Sequence, residues 1–370
     1  MTVVTTHGAE DDPDGLALQL SDCDQVISIP YVVPKKESLR FPVAVLRSWF
    51  SPYPVDLWKW RVPKVHEQVS ALLANGSIDL CVADFLFAVA NVPLGRAVPV
   101  TLFEHNVEHL IWKRLSTLEA ATWRRLLLEI EWRKLRRREA AACAGSDLTI
   151  AVSERDRHRL AELASGARIA AIPTGVDTTY FAPDGSTPLP TRLVFTGSMD
   201  WHPNEDAVLF FVEEILPRIK CDVPDVSLTV VGRHPSPRLR AVGERAGVLI
   251  TGTVDDVRPF VREAAVYVVP LRAGGGTRLK IFEALALAKP VVSTSVGAEG
   301  LSLAQEREVV IADEPAAFAK AVVSLLRDPE RQQALGLAGR RLVERRYSWV
   351  RVAAEFEALC EEVVRRHERS

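Results

Sequence analysis

The sequence predicts an α/β protein built as two Rossmann-like domains with parallel sheets, and three observations carry that prediction. Short runs rich in Val and Ile recur along the chain with helical stretches between them. Most of these runs are continuously apolar rather than alternating, the pattern of strands buried on both faces of a parallel sheet. The chain has 370 residues, enough for two domains of ordinary size.

The element order follows. Thr2–Thr6 reads as a short strand, and Val26–Pro30, Ile78–Ala83, Val98–Phe103, Leu148–Val152 and Ile169–Pro173 read as the rest of a first series. Leu193–Gly197, Ser227–Gly232, Val248–Thr251, Ala265–Pro270 and Val291–Thr294 form a second. Helices between them make both halves βα repeats. Gly, Pro and Ser concentrate in Phe181–Pro190, which reads as a hinge. The expected domains are therefore residues 1–183 and 184–346, followed by a C-terminal helix over 347–370. That helix carries Trp349, Val352, Phe356, Leu359 and Val363 along one stripe, which must be buried on something. A helix over Ala121–Ala142 is rich in Arg. It reads either as a solvated face with pairs such as Glu129 with Arg133, or as a surface for anionic lipid.

Bulk composition removes several classes of function. A net charge of -2 argues against a nucleic-acid binder working through bulk positive charge. Five scattered cysteines without a Cys-x-x-Cys spacing give neither a disulfide framework nor a zinc site. No basic leader follows Met1, and no apolar run reaches the roughly 18 residues that span a bilayer. The expectation is a cytoplasmic protein, peripheral at most at the inner face of the plasma membrane.

The chemistry is concentrated in Ala265–Pro290. A buried strand ends at Pro270, a glycine loop Gly274–Gly276 follows, and a helix starts near Thr277. Glycines allow a backbone to approach a ligand closely, and the free N–H groups of a helix N-terminus favour an anion. Arg278 and Lys280 stand in that first turn, where cations are unfavourable unless a negative ligand compensates them. Glu283 lies one turn beyond Lys280, placed to accept hydrogen bonds from a ribose diol. Three more loops follow strands of the same half: Gly197–Trp201, Gly232-Arg233 and Gly252–Asp256. Ligands of open α/β sheets bind beyond the carboxyl ends of the strands, so the four loops point to one diphosphate site.

These motifs resemble the retaining glycosyltransferases of family 4, which have the GT-B fold of two facing Rossmann-like domains with a cleft between them. The resemblance rests on Phe195–Asn204 (FTGSMDWHPN), Val230–Arg233 (VVGR), Thr251–Val257 (TGTVDDV), Gly274–Glu283 (GGGTRLKIFE) and Pro290–Gly300 (PVVSTSVGAEG), with Ile172–Phe181 as the linker signature. In the first half, Leu102–Glu108 (LFEHNVE) and Ala151–Glu154 (AVSE) are similar to the branch associated with exopolysaccharide assembly. By position, the resemblance implies that Gly197 and Ser198 approach the distal phosphate and that Arg233 and Lys280 neutralise the diphosphate. The backbone at Thr253 and Val254 would hold the base, and Glu283 the ribose. Gly275, Gly276, Thr277 and Arg278 would lie against the phosphate or donor sugar. His105 would face the donor sugar, and the final helix would cross back to the first domain.

Two departures accompany the resemblance. The first glutamate of the family's Glu-x7-Glu pair falls at Gly275, which implies altered donor contacts. A strand, glycine loop and helix that precede the Thr2–Thr6 segment in relatives have no counterpart, which would leave the core of the first sheet unpaired unless Thr2–Thr6 moves in or the strands close up. The implied reaction moves a hexosyl group from a UDP- or GDP-sugar to a saccharide or lipid-linked acceptor, with no cofactor and no metal. Asp12-Pro13-Asp14 matches a metal-binding Asp-x-Asp string but reads as a loop. Glu108 and His109 read as helix-start residues, Asp177 as a turn residue and Asn204 as a helix N-cap. The alternative is a nucleotide-sugar binder or scaffold impaired in catalysis by its shortened first domain.

Overall fold

A computed structural model describes residues 1–34, 40–95, 97–119, 121–273 and 279–369, with the backbone alone at residues 40, 41 and 118. The chain divides into two compact units, Met1–Ile172 with Phe356–Ser370, and Pro173–Glu355.

The first unit runs β1 (Thr2–His7), α1 (Pro13–Gln19), β2 (Gln25–Pro30), α2 (Arg40–Trp49), α3 (Val55–Lys59), α4 (Pro63–Ala74), β3 (Cys81–Asp84), α5 (Leu86–Val89), β4 (Val100–Glu104), α6 (Glu108–Leu118), α7 (Thr122–Gly145), β5 (Leu148–Ala151), α8 (Glu154–Leu163) and β6 (Ile169–Ala171). All pairings are parallel. The strands do not close into one sheet. β1 and β2 form a two-stranded sheet, and β3-β4-β5-β6 form a separate four-stranded one. The α3–α4 corner ties the two together. Tyr31, just after β2, donates its hydroxyl to Lys59 O, and Asn91, just after α5, donates to Trp60 O and accepts from Val62 N.

The second unit runs β7 (Leu189–Thr196), α9 (His202–Phe210), a wide π turn (Phe211–Ile215), α10 (Leu216–Asp222), β8 (Ser227–Val231), α11 (Pro237–Ala246), β9 (Leu249–Ile250), α12 (Arg258–Glu263), β10 (Ala264–Val269), α13 (Leu279–Ala286), β11 (Val291–Ser293), β12 (Val310–Ile311), α14 (Pro315–Leu326) and α15 (Pro329–Arg346), with the first turns of α16 (Trp349–His367). Its six strands are parallel in the order β12-β11-β10-β7-β8-β9. β10 is buried at all six positions, as its uninterrupted apolar run requires.

The expected boundary at 183/184 is displaced, because the hinge segment is fastened to the second unit. Arg258 donates to Tyr180 O at 3.1 Å, Arg262 to Ala182 O at 2.8 Å, and Arg340 to Phe181 O and Thr178 O at 2.6 and 2.8 Å. Beyond Phe356 the final helix belongs to the first unit. The Phe356 and Phe103 ring centroids are 5.8 Å apart, Arg168 pairs with Glu362 at 2.8 Å, and the His367 ring meets Ala97 O at 2.7 Å. Val352 and Val363 of the stripe are buried, whereas Trp349 is exposed. Among the described residues no helix is long and apolar enough to cross a membrane.

Glycine makes one junction of the second sheet possible. A Cβ on Gly232 would lie 1.7 Å from the carbonyl oxygen of Gly197. The two chains run side by side there, with Gly197 N donating to Val231 O and Met199 N to Arg233 O, both at 2.9 Å. Gly232→Ala must therefore push two backbones apart. It is expected to lower stability in urea unfolding by about 1–3 kcal/mol, the range for overpacking a tight core.

The first unit buries an acidic cluster. Glu139 accepts from Glu108 N at 2.7 Å, from His109 N at 3.3 Å and from the His109 ring. Glu104 is buried, and neither of its carboxyl oxygens has a hydrogen-bond partner among the described residues. Burial, and then the charges of Glu139 and Glu108, push its carboxyl well above the usual range. Burial and Glu139 likewise push Glu108 up to about 6. A carboxyl with a raised folded pKa stabilises fully below its unfolded value, and that contribution is lost as pH rises through the folded value. For Glu108 this window runs from 4.5 to about 6, and Glu104 extends it upward. Glu104→Gln is therefore expected to unfold at a higher temperature than the wild type at about pH 8, with the gain shrinking as pH falls toward 4.5. A gain that does not change with pH would show that Glu104 keeps its ordinary pKa.

Candidate functional site

Because the strands of the second unit are parallel, β10, β7, β8 and β9 end at one edge in spatial succession. The loops that follow β7 and β8 begin at Gly197 and Gly232, and the loop after β9 reaches Gly252 at its second residue. At this edge four residues form one linked chain, which passes through the side chain and backbone carbonyl of Ser198. Arg233 Nε donates to Ser198 Oγ at 2.7 Å. Ser198 O accepts from Asn204 Nδ2 at 2.8 Å. Asn204 Oδ1 accepts from Lys280 Nζ at 2.8 Å. The Lys280 ammonium also lies 4.2 Å from the centroid of the Phe195 ring. Two cations contributed from β8 and α13 are thus held beside the Gly197 backbone, where a Cβ would meet Lys280 Nζ at 2.7 Å. Ser198 in turn donates to Asp200, which with Arg233 nearby holds that carboxyl below its usual range.

Glu283 stands one turn after Lys280 and is half-buried. Burial pushes its carboxyl up while Lys280 opposes the shift. Beneath it, the buried Tyr267 shares a hydrogen bond with Thr196, and burial raises its phenol. Thr253 is exposed and Val254 half-buried in the loop after β9, which turns through Gly252 at a φ of +75°. Gly275, Gly276, Thr277 and Arg278 lie outside the described residues.

One sequence expectation is corrected here. Asn204 does not cap a helix: α9 begins at His202, Trp201 is its N-cap, and Asn204 sits inside the first turn. Its amide is buried and used for tertiary bonding between the Ser198 loop and Lys280. Asp177 does make the expected turn, accepting from Thr179 N and Tyr180 N at 2.9 and 2.8 Å. Asp12 is the N-cap of α1, accepting from Asp14 N and Gly15 N. Glu108 and His109 open α6.

In the first unit, His105 follows β4 and has neighbours that sequence reading missed. Its Nε2 lies 2.7 Å from Asp84 Oδ1, at the end of the adjacent strand β3. The Phe85 ring stacks on the imidazole at 3.9 Å, and Phe103 meets it edge-on at 4.7 Å. Phe85 holds a φ of +72°, which is rare for a side-chain-bearing residue and costs about 1–3 kcal/mol when the surroundings enforce it. The available signal was position: Asp84 ends β3 and His105 directly follows β4, the parallel strand beside it, so both stand at the same sheet edge.

Comparison with known proteins bears on this architecture. A family model described as glycosyl transferases group 1 matches residues 190–328. One described as Glycosyltransferase Family 4 matches residues 2–180. The chain is 27% identical over 315 residues to a phosphatidyl-myo-inositol mannosyltransferase of Mycobacterium tuberculosis, covering 81% of this chain and 78% of that protein. Among solved structures it is similar to sucrose-phosphate synthase from Thermosynechococcus elongatus, at a TM-score of 0.67, 15% identity and coverage of 98% and 99% of the two chains. It is also similar to Anabaena HepE solved with UDP, at a TM-score of 0.64, 14% identity and coverage of 98% and 100%. Both likenesses are of fold. The two models meet at the linker and between them take in both sheets, and the chain belongs to family 4 of the glycosyltransferases, with the GT-B fold.

Proposed function

We propose that the protein is a retaining hexosyltransferase. It would take its sugar from a UDP- or GDP-sugar and pass it to a saccharide or lipid-linked acceptor in exopolysaccharide or cell-surface glycan synthesis. The observation that carries this reading is the linkage Arg233–Ser198–Asn204–Lys280 at the carboxyl edge of the second sheet. The name of the mycobacterial relative, a mannosyltransferase acting on phosphatidyl-myo-inositol, supports a hexose and a lipid-linked acceptor.

Breaking the bond between the anomeric carbon and phosphate oxygen leaves negative charge on the departing diphosphate. Arg233 and Lys280 take up that charge as preorganised donors, so no metal is required for it. Attack from the face of the leaving phosphate lets a phosphate oxygen take the acceptor's proton, which preserves the anomeric configuration. Glu283 receives the ribose hydroxyls, the backbone at Thr253 and Val254 the base, and Gly197 and Ser198 the distal phosphate. The donor contacts of Gly275, Gly276, Thr277 and Arg278 rest on the family resemblance, as does the assignment of His105 to the donor sugar. The reading places the reaction in the cytoplasm, at the inner membrane face when the acceptor is a lipid.

The test is thermal unfolding with and without UDP and GDP, followed by turnover. One nucleotide is expected to raise the midpoint and so to identify the base. Lys280→Ala is expected to abolish the rise and to lower kcat by about 100-fold to 1,000-fold, the usual effect of removing one preorganised charge donor. Turnover is expected to persist in EDTA. A midpoint that no nucleotide moves in the wild type would overturn the donor site. Binding without turnover would make the protein a nucleotide-sugar binder.

A further inference from the structure

The first unit contains a cavity of about 660 Å³ among α3, α4, α5 and α7 that nothing above assigns. Leu57, Leu86 and Val89 give it an apolar lining. Arg61 and Arg138 line it as well, and both stack on Tyr53, with guanidinium carbons 4.4 and 3.9 Å from the ring centroid. Arg138 Nε donates to Pro52 O at 3.3 Å. Among the described residues neither guanidinium is paired with a carboxylate. Each therefore keeps planar N–H donors suited to two-point bonding of a phosphate. The aromatic post between them reduces the freedom that a ligand would otherwise have to remove.

A second observation points the same way. Helix α2, which packs on α3, exposes Val43, Leu46 and Trp49 at every third position, and Phe50 after it is 86% exposed. Soluble surfaces seldom leave large apolar side chains contiguous without a partner. Hydrocarbon on the surface beside a cavity with an apolar lining and two unpaired cations matches one molecule with both properties. We propose that this cavity binds the phosphate-bearing end of a membrane lipid, with Arg61 and Arg138 on the phosphate and the apolar lining and α2 taking the adjoining hydrocarbon. The proposal rests on the lipid-linked acceptor reading above. Its test is binding without donor or turnover, so the two can fail separately.

The experiment is calorimetric titration of the full chain with dihexanoylphosphatidylglycerol below its micelle concentration, and with glycerol 3-phosphate. Co-sedimentation with phosphatidylcholine vesicles, with and without phosphatidylglycerol, accompanies it. Saturable lipid binding is expected, at least about tenfold tighter than glycerol 3-phosphate. Arg61→Gln and Arg138→Gln are each expected to weaken it about tenfold, the loss of one charge-assisted contact. Ala141→Trp, which fills the cavity, is expected to remove it, with cooperative unfolding retained in all three variants. Equal affinity for glycerol 3-phosphate would make this a free-phosphate site and overturn the lipid assignment. Vesicle binding undiminished in the Arg61→Gln, Arg138→Gln double variant would place the attraction on the basic surface of α7 instead. No saturable binding would overturn the proposal outright.

Discussion

The second unit depends on a steric constraint at the ends of β7 and β8. The carbonyl of Gly197 occupies the space that a side chain at residue 232 would need. With both residues glycine, two adjacent strands can end level and deliver Ser198 and Arg233 to the same point. Lys280 reaches that point from α13, again over a glycine, and donates there to the Asn204 amide oxygen. A neutral amide oxygen fixes the direction of the ammonium group without adding a charge of its own.

The first unit solves a different problem. Its sheet edge carries His105 between an acid and a strained aromatic ring, over an interior that contains Glu104, Glu108, Glu131 and Glu139. Burying carboxylates is unfavourable unless they are bonded, and only part of this set is. Glu139 is fully used, holding the start of α6, while Glu104 is not. Strain and unsatisfied polarity thus gather around the end of β4, as happens where a fold gives up stability to hold particular groups in place.

Much of this was legible in the chain. Parallel strands buried on both faces announce themselves as apolar runs, so eleven of the twelve strands among the described residues stood out, and β10 most clearly. The glycine-bearing loops after β7, β8 and β9 were equally plain, because a sharp exit from a strand leaves a compositional mark. What escaped was whatever depends on distant partners. Val310–Ile311 is too short to form a run. The Gly/Pro-rich linker looked free, yet its carbonyls are bound by arginines from α12 and α15. Asn204 looked like a cap because Asn favours that position, although Pro203 beside it marked the first turn of a helix already begun. The φ of Phe85 has no sequence signature, since nothing but the surrounding packing imposes it.

The division of the first sheet bears on how that unit holds together. β1 and β2 share their ladder with each other alone among the described strands and are joined to the rest through helices and the α3–α4 corner. A continuous sheet opens as one cooperative body, because each strand is gripped on two sides. Here the ribbon and the four-stranded sheet are separate elements of protection. The ribbon can loosen at the expense of a few helix contacts while β3 to β6 stay intact. Among the described elements stability is therefore graded, lower over β1 and β2 than around β4 and β5, where both faces are covered.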